Sequence, residues 1–139
     1  MPPDPDPLVD ALVRTAYDVM RVVTRVAASH DVSVTQMRVL GILRDREPRL
    51  SELADYLGLD KSSISGLVDR AVRRGLLARR PDQEDGRASR VLLTAAGRDL
   101  ARSAAGQVAD GIEPLVAHLT RSERATLARL FAPDPTAAG

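Results

Sequence analysis

Residues 50–94 read LSELADYLGLDKSSISGLVDRAVRRGLLARRPDQEDGRASRVLLT, and this stretch decides the fold. Leu50, Leu53, Ala54 and Leu57 recur at three- and four-residue steps, the period of a short amphipathic helix. Ser51 is its expected N-cap, and Gly58 is the residue type that ends helices in a left-handed turn. After the turn Gly58-Leu59-Asp60, a second helix is predicted over Lys61–Arg74, capped by the Asp60 carboxylate and closed by Gly75. Ile64, Leu67, Val68, Ala71, Val72 and Leu76 form its apolar side. Ser62, Ser65, Gly66, Asp69, Arg70 and Arg73 fall on the other side. Leu76–Arg80 and Ala88–Leu93 then read as two strands around the turn-forming run Pro81-Asp82-Gln83-Glu84-Asp85-Gly86, with Val91 and Leu93 on one face.

Helix, three-residue turn, helix and hairpin make a winged helix-turn-helix, whose second helix enters a DNA major groove while the first braces it. The residue types at 62–74 suit that task. Ser62, Ser63 and Ser65 are short donors for phosphates or base edges. Gly66 allows close backbone approach, and the free amides of the helix N-terminus favour a phosphate. The candidate DNA contacts are Ser51, Lys61, Ser62, Ser63, Ser65, Gly66, Arg70, Arg73, Arg87 and Arg90. Arg74 and Arg79 read as solvated surface charges. Asp69, an acid on this basic side, is expected to pair with Arg87 or Arg90.

Outward from this core, 33–94 reads as one DNA-binding unit. Ser33 with Gln36, or Thr35 alone, starts a helix running to Arg46 and stopped by Pro48. Before it, Leu8–Ser29 holds no Gly or Pro, and its apolar stripe (Leu8, Leu12, Ala16, Val19, Val23, Val26, Ala27, flanked by Val9, Val13 and Met20) is wide enough for burial on two sides. After it, Thr94 caps a small-residue helix reaching about Leu119, which Pro114 should kink or split. Thr120 and Glu123 form a capping box for a last helix ending near Phe131. Segments 8–32 and 95–131 read as a helical dimerisation region. The Pro- and Asp-rich 1–7 and the tail 132–139 are expected to be disordered. The fold class is mainly α with a small β-hairpin wing (α+β).

Composition removes other classes. The 139 residues contain no Cys, so there is no disulfide, thiolate metal site or cysteine nucleophile. Two Tyr and one Phe are too few for a single-strand stacking platform. The only histidines, His30 and His118, read as surface or helix-end residues, and no metal site is expected. Glu84 and Asp85 are the only neighbouring acids of catalytic type, in a turn open to water, so an enzyme is not expected. No apolar run approaches the roughly 18–20 residues of a membrane span, and the acidic, Pro-rich start is no signal peptide. A cytoplasmic location without a membrane partner is expected. The net charge of +1 conceals an asymmetry: residues 61–90 carry +4 and the rest −3.

The run Leu53-Ala54, Leu57-Gly58, Ser63-Ile64-Ser65, Leu67-Val68-Asp69-Arg70, Gly75-Leu76, Arg79, Asp85-Gly86-Arg87, Leu92-Leu93-Thr94 and Gly97 resembles the MarR family of bacterial transcription regulators. The likeness extends from about Leu8 to Phe131, and its most specific part is the wing's Asp-x-Arg followed by Leu-Thr. The resemblance implies a homodimer built by the first and last two helices, gripping a pseudo-palindromic double-stranded operator. It implies that Arg87 enters a minor groove and that Asp85 steadies it. It also implies a ligand cleft between dimer base and winged helix, for which Tyr17, Met20, His30 and Met37 are candidates. The sequence departs from the family pattern at Gly66, Gly86 and Pro114. No cofactor is expected. The function so implied is that of a DNA-binding regulator, expected to be a repressor relieved by a small-molecule effector. The absence of Cys argues against a thiol-based peroxide sensor. The alternative is a winged-helix protein-interaction module with weak or no DNA binding.

Overall fold

The Asp6 carboxylate accepts from the Leu8 amide at 2.8 Å, with Pro7 at the first helical position, where its missing N–H costs nothing. The computed structural model describes residues 1 and 3–132 of the chain. Helix α1 spans Pro7–Ser29, so Asp6 and Pro7 of the expected disordered arm belong to the helix start. Pro2 and, beyond Ala132, the expected disordered tail lie outside the described residues. The helices α2 (Val34–Ile42), α3 (Leu50–Leu57) and α4 (Lys61–Arg73) follow. The strands β1 (Leu77–Pro81) and β2 (Ser89–Leu93) come next, then α5 (Ala95–Val116) and α6 (Arg121–Phe131). The two strands form an antiparallel hairpin with Leu77 opposite Leu93 and Arg79 opposite Val91.

Several boundaries differ from the sequence expectation for identifiable reasons. Helix α2 starts at the Ser33–Gln36 capping box and ends at Ile42, short of Arg46. The chain then turns so that the Pro48 carbonyl accepts from the Val91 amide at 3.0 Å and Arg49 bridges to Arg90 as an extra rung on the wing. That pairing holds Arg49 extended and starts α3 at Leu50. Ser51 therefore lies inside α3 and is not its cap. Gly58 and Gly75 both sit at positive φ (63° and 75°) and close α3 and α4. At Gly75 the amide donates to Val72 and the next amide, Leu76, donates to Ala71, so Leu76 completes the helix stop and β1 begins one residue later than expected. Thr94 caps α5 through the Gly97 amide. Pro114 does not split α5, which runs on to Val116 and ends within a turn, before the expected Leu119.

The winged-helix core is the largest buried cluster: Val39, Leu40, Leu43, Leu53, Ile64, Leu67, Val68, Leu77, Val91 and Leu93. Val22, Val26 and Ala104 form a second cluster between α1 and α5, and Ala27, Val32 and Leu76 a third. Leu100 packs against all three, tying the winged helix to the long helices. Of the wide apolar stripe on α1, only Val26 and Ala27 are buried within this chain, beside Val22, which the stripe left out. Leu8, Val9, Leu12, Val13, Tyr17 and Met20 of α1, with Leu127, Leu130 and Phe131 of α6, remain exposed.

Candidate nucleic-acid interface

Helix α4 is set by its N-cap. Asp60 Oδ1 accepts from the Ser63 amide and from the Ser62 hydroxyl, both at 2.7 Å, and these bonds hold its carboxyl below the usual carboxylate range. Ile64, Leu67, Val68 and Ala71 are buried, so the opposite side of the helix faces outward. Lys61, Ser62, Ser63, Asp69, Arg70 and Arg73 are exposed there, with Ser65 and Gly66 half-buried. A Cβ at Gly66 would lie 3.4 Å from Arg70 Nη1, so the Arg70 guanidinium lies over the glycine.

Asp69 pairs with Arg79 at 2.7 Å, not with Arg87 or Arg90. The Arg79 guanidinium, projecting from β1, also donates to the Ser65 carbonyl and hydroxyl at 3.3 and 3.4 Å. Arg79 is thus a brace between wing and helix, not a solvated charge. Arg74 is likewise engaged: it donates to the main-chain oxygens of Asp31 and His30 at 2.6 and 3.3 Å.

The wing is organised by a residue that sequence reasoning missed. Asp82 is 4% exposed and accepts from Arg49 Nη2 and Arg90 Nε, each at 2.6 Å. The Arg90 hydrogen bond, then the Arg49 charge, hold its carboxyl low against the opposing effect of burial. Arg90 also donates to the Glu47 carbonyl at 2.7 Å, and Arg80 pairs with the Glu47 side chain. Arg90, a candidate contact, is therefore occupied at the wing base. The only signal in the sequence was an acid beside a turn proline, and its partner Arg49 lies far away in sequence. At the tip, the Arg87 amide donates to Asp85 Oδ1 at 3.1 Å and the Ala88 amide to the Asp85 carbonyl at 3.0 Å. Asp85 thus holds the backbone of Arg87, while the Arg87 side chain stands exposed. Among the described residues the ion pairs of α4 and the wing involve Arg49, Arg79, Arg80 and Arg90; none involves Lys61, Arg70, Arg73 or Arg87.

An open cavity of about 500 Å³ lies between α1, α2 and α5. Met20 and Val23 line it from α1, Met37, Arg38, Gly41 and Arg44 from α2 and the turn after it, and a wall of alanines (Ala101, Ala104, Ala105, Ala109) from α5. It brings together Met20 and Met37 of the ligand candidates. Tyr17 and His30 are not in its lining. His30 instead bonds Gln107 on α5, Nε2 to Oε1, at 2.6 Å. Among the described residues there is no group of three or more His, Cys, Asp or Glu that could hold a metal ion, and no helix long and apolar enough to cross a membrane.

A profile of the MarR family matches residues 30–88, the segment from the end of α1 to the wing tip. Apo MarR from E. coli superposes with a TM-score of 0.75 at 26% identity, covering 92% of this chain and 96% of that one. Residues 30–88 are thus similar to the MarR family in sequence, and the chain as a whole is similar to MarR in fold. A cysteine-to-serine mutant of E. coli MarR in complex with operator DNA matches this chain at 27% identity and TM-score 0.69, covering 89% and 90% of the two chains. NadR in complex with 4-hydroxyphenylacetate shares the fold, with a TM-score of 0.79 at 20% identity over 95% and 94% of the chains. No curated protein sequence matches significantly. The architecture, mainly α with a two-stranded wing, is that of the MarR fold.

Proposed function

We propose that this protein is a MarR-family, sequence-specific regulator of transcription that binds double-stranded DNA as a homodimer, α4 in the major groove and the wing at the flanking minor groove. The carrying observation is the charge left unpaired on one side of the winged helix. Lys61, Arg70 and Arg73 on α4 and Arg87 at the wing tip have no acid partner among the described residues, whereas Asp69 and Asp82 are neutralised by arginines behind them. Ser62, Ser63, Ser65 and Gly66 supply short donors and backbone access, Ser51 a further hydroxyl and Arg90 support for the wing. Asp85 organises the tip. Residues 33–94 form the DNA-binding unit, and 8–32 with 95–131 the dimerisation region. In support of a dimer, Leu8, Leu12 and Tyr17 of α1 and Leu127, Leu130 and Phe131 of α6 lie exposed in their own chain. We assign the cavity behind α2 to a small-molecule effector that relieves repression by favouring a dimer with the wrong separation of its α4 helices. The protein is read as non-enzymatic and cytoplasmic, where its DNA is.

The test is binding of fragments of the source genome, followed by titration with salt. Groove binding by the basic side predicts that affinity falls with salt at about −0.9 in log–log slope per phosphate neutralised. Arg87→Ala should weaken operator binding by about 1–3 kcal/mol. Salt-independent or absent binding favours a protein-interaction module, and an unchanged Arg87→Ala affinity removes Arg87 from the interface.

A further inference from the structure

We infer that Arg74 is a positioning residue that sets the separation between DNA half-sites the dimer accepts. The inference rests on the DNA-binding dimer proposed above. Arg74 is the C-cap of α4. Among the described residues it is the one side chain at either end of α4 that bonds outside the winged helix, through its two donations to the α1–α2 turn. That turn is itself held. Asp31 adopts a left-handed backbone (φ 56°), which aligns consecutive carbonyls toward the guanidinium, and the His30 ring is bonded to Gln107 on α5. On its other flank the same end of α4 meets Thr94. The Thr94 hydroxyl lies 2.6 Å from the Gly75 carbonyl oxygen, and the Thr94 amide donates to the Leu76 carbonyl at 3.1 Å. Beneath both contacts Leu76 is buried with Ala27 and Val32. The C-terminal end of the recognition helix is thereby fixed to the long helices, whereas its N-terminal end is bonded only within the winged helix.

Leverage makes this junction matter. Ser62 lies about 18 Å along the helix from Arg74, at 1.5 Å per residue. A rotation of the winged helix by roughly 10° about the junction moves that end by about 3 Å, close to the 3.4 Å rise of one base pair. Loosening Arg74 therefore allows each recognition helix to reach a half-site displaced by one pair, while the winged-helix core stays folded.

The chain has no Cys, so Lys61→Cys accepts a single spin label at the free end of each α4. Pulsed dipolar spectroscopy of the DNA-free dimer should give one narrow distance distribution for the parent and a broadened one for Arg74→Gln, with Arg74→Lys between them. Unlabelled proteins are then compared on duplexes whose half-site separation is lengthened or shortened by one base pair. Arg74→Gln should reduce the parent's preference for one spacing by roughly two- to thirtyfold. Superimposed distance distributions and unchanged spacing preference in both variants would overturn the inference. So would a uniform loss of affinity with a salt slope shallower by about two, one for each protomer, which marks a phosphate contact. A parent that shows a dipolar signal but binds no duplex defeats the DNA-binding reading, and the distances still decide the role of Arg74. A parent without a dipolar signal is no dimer and removes the inference as well.

Discussion

Replacing Gly97 with alanine puts a methyl group where there is no room. A Cβ at this position would lie 2.0 Å from the Leu76 carbonyl oxygen, 3.0 Å from its carbon and 3.3 Å from Leu93 Cδ2. The obstacle is main chain, and it is held: the Leu76 oxygen accepts from the Thr94 amide at 3.1 Å while the Leu76 side chain is buried. To relieve the contact, the start of α5 and the α4–β1 junction must separate by roughly 1 Å, since non-bonded carbons are comfortable only at about 3.5–4.0 Å. Overpacking of this kind costs about 1–3 kcal/mol, and a strained or lost hydrogen bond to Leu76 adds about 1 kcal/mol. Against this, alanine is the better helix former by up to about 1 kcal/mol. The balance is a destabilisation of about 1–3 kcal/mol, or a fall in Tm of about 3–15 °C for a domain of this size. Gly106 is the control on the same helix: a Cβ placed there would have no atom within 4 Å. There the substitution should raise stability by about 0.5–1 kcal/mol. Urea denaturation followed by far-ultraviolet circular dichroism, at one fixed protein concentration, compares the two. If Gly97→Ala were as stable as the parent, α5 would not approach Leu76 as described.

The wing should be insensitive to pH across the neutral range. The Asp82 carboxyl is held low by Arg90 and Arg49 in the folded protein, so its contribution is present above the unfolded-state value near 4 and is lost as pH falls through the lower folded-state value. Amide resonances of Asp85 and Arg87 should therefore hold their positions from pH 8 to about 5 and move only in stronger acid; a transition near pH 6 would contradict the Asp82 assignment. Gly66→Ala should raise helix stability by about 0.5–1 kcal/mol, because the new methyl meets only the flexible end of Arg70 at 3.4 Å. A loss of stability on denaturation would show that α4 is more crowded there. Asp69→Ala should release Arg79, whose ion pair is more than half exposed on the acid side and so worth about 0–1 kcal/mol in stability. Binding to unrelated DNA should tighten and its salt slope steepen by about 1.8, one phosphate for each protomer of the dimer, and weaker binding would mean that the pair itself shapes the interface.

The features legible in the sequence are those made by neighbours. Asp60, Ser33 with Gln36, Thr94, and Thr120 with Glu123 each act on an amide within three residues, so residue type and spacing suffice to read them. Gly58 and Gly75 were legible for the same reason. The contacts that orient the candidate site are non-local. Asp82 meets Arg49, and Arg74 meets His30 and Asp31, across more than thirty positions. Nothing in the local pattern separates Arg74 from Arg73, yet one is bound to the α1–α2 turn and the other is exposed and in no ion pair among the described residues. The misplaced cap at Ser51 has this origin too, because Arg49 was recruited as a rung on β2.

The same distinction changes how the charge of the chain should be counted. Residues 61–90 carry eight basic side chains, and the sequence treats them alike. In the fold four are occupied: Arg79 by Asp69, Arg80 by Glu47, Arg90 by Asp82, and Arg74 by main-chain oxygens. Lys61, Arg70, Arg73 and Arg87 remain to meet phosphates in the proposed complex. Two copies of four cations correspond to a log–log salt slope of about −7 for operator binding, whereas all eight would give about −14. In that proposal the occupied arginines still serve recognition, since they place the free ones. Asp82 and its two arginines anchor the hairpin that carries Arg87, and Arg79 ties that hairpin to the helix that carries Arg70. A near-neutral chain can therefore present a basic face, because its acids hold the scaffold's arginines and leave the outward ones uncompensated.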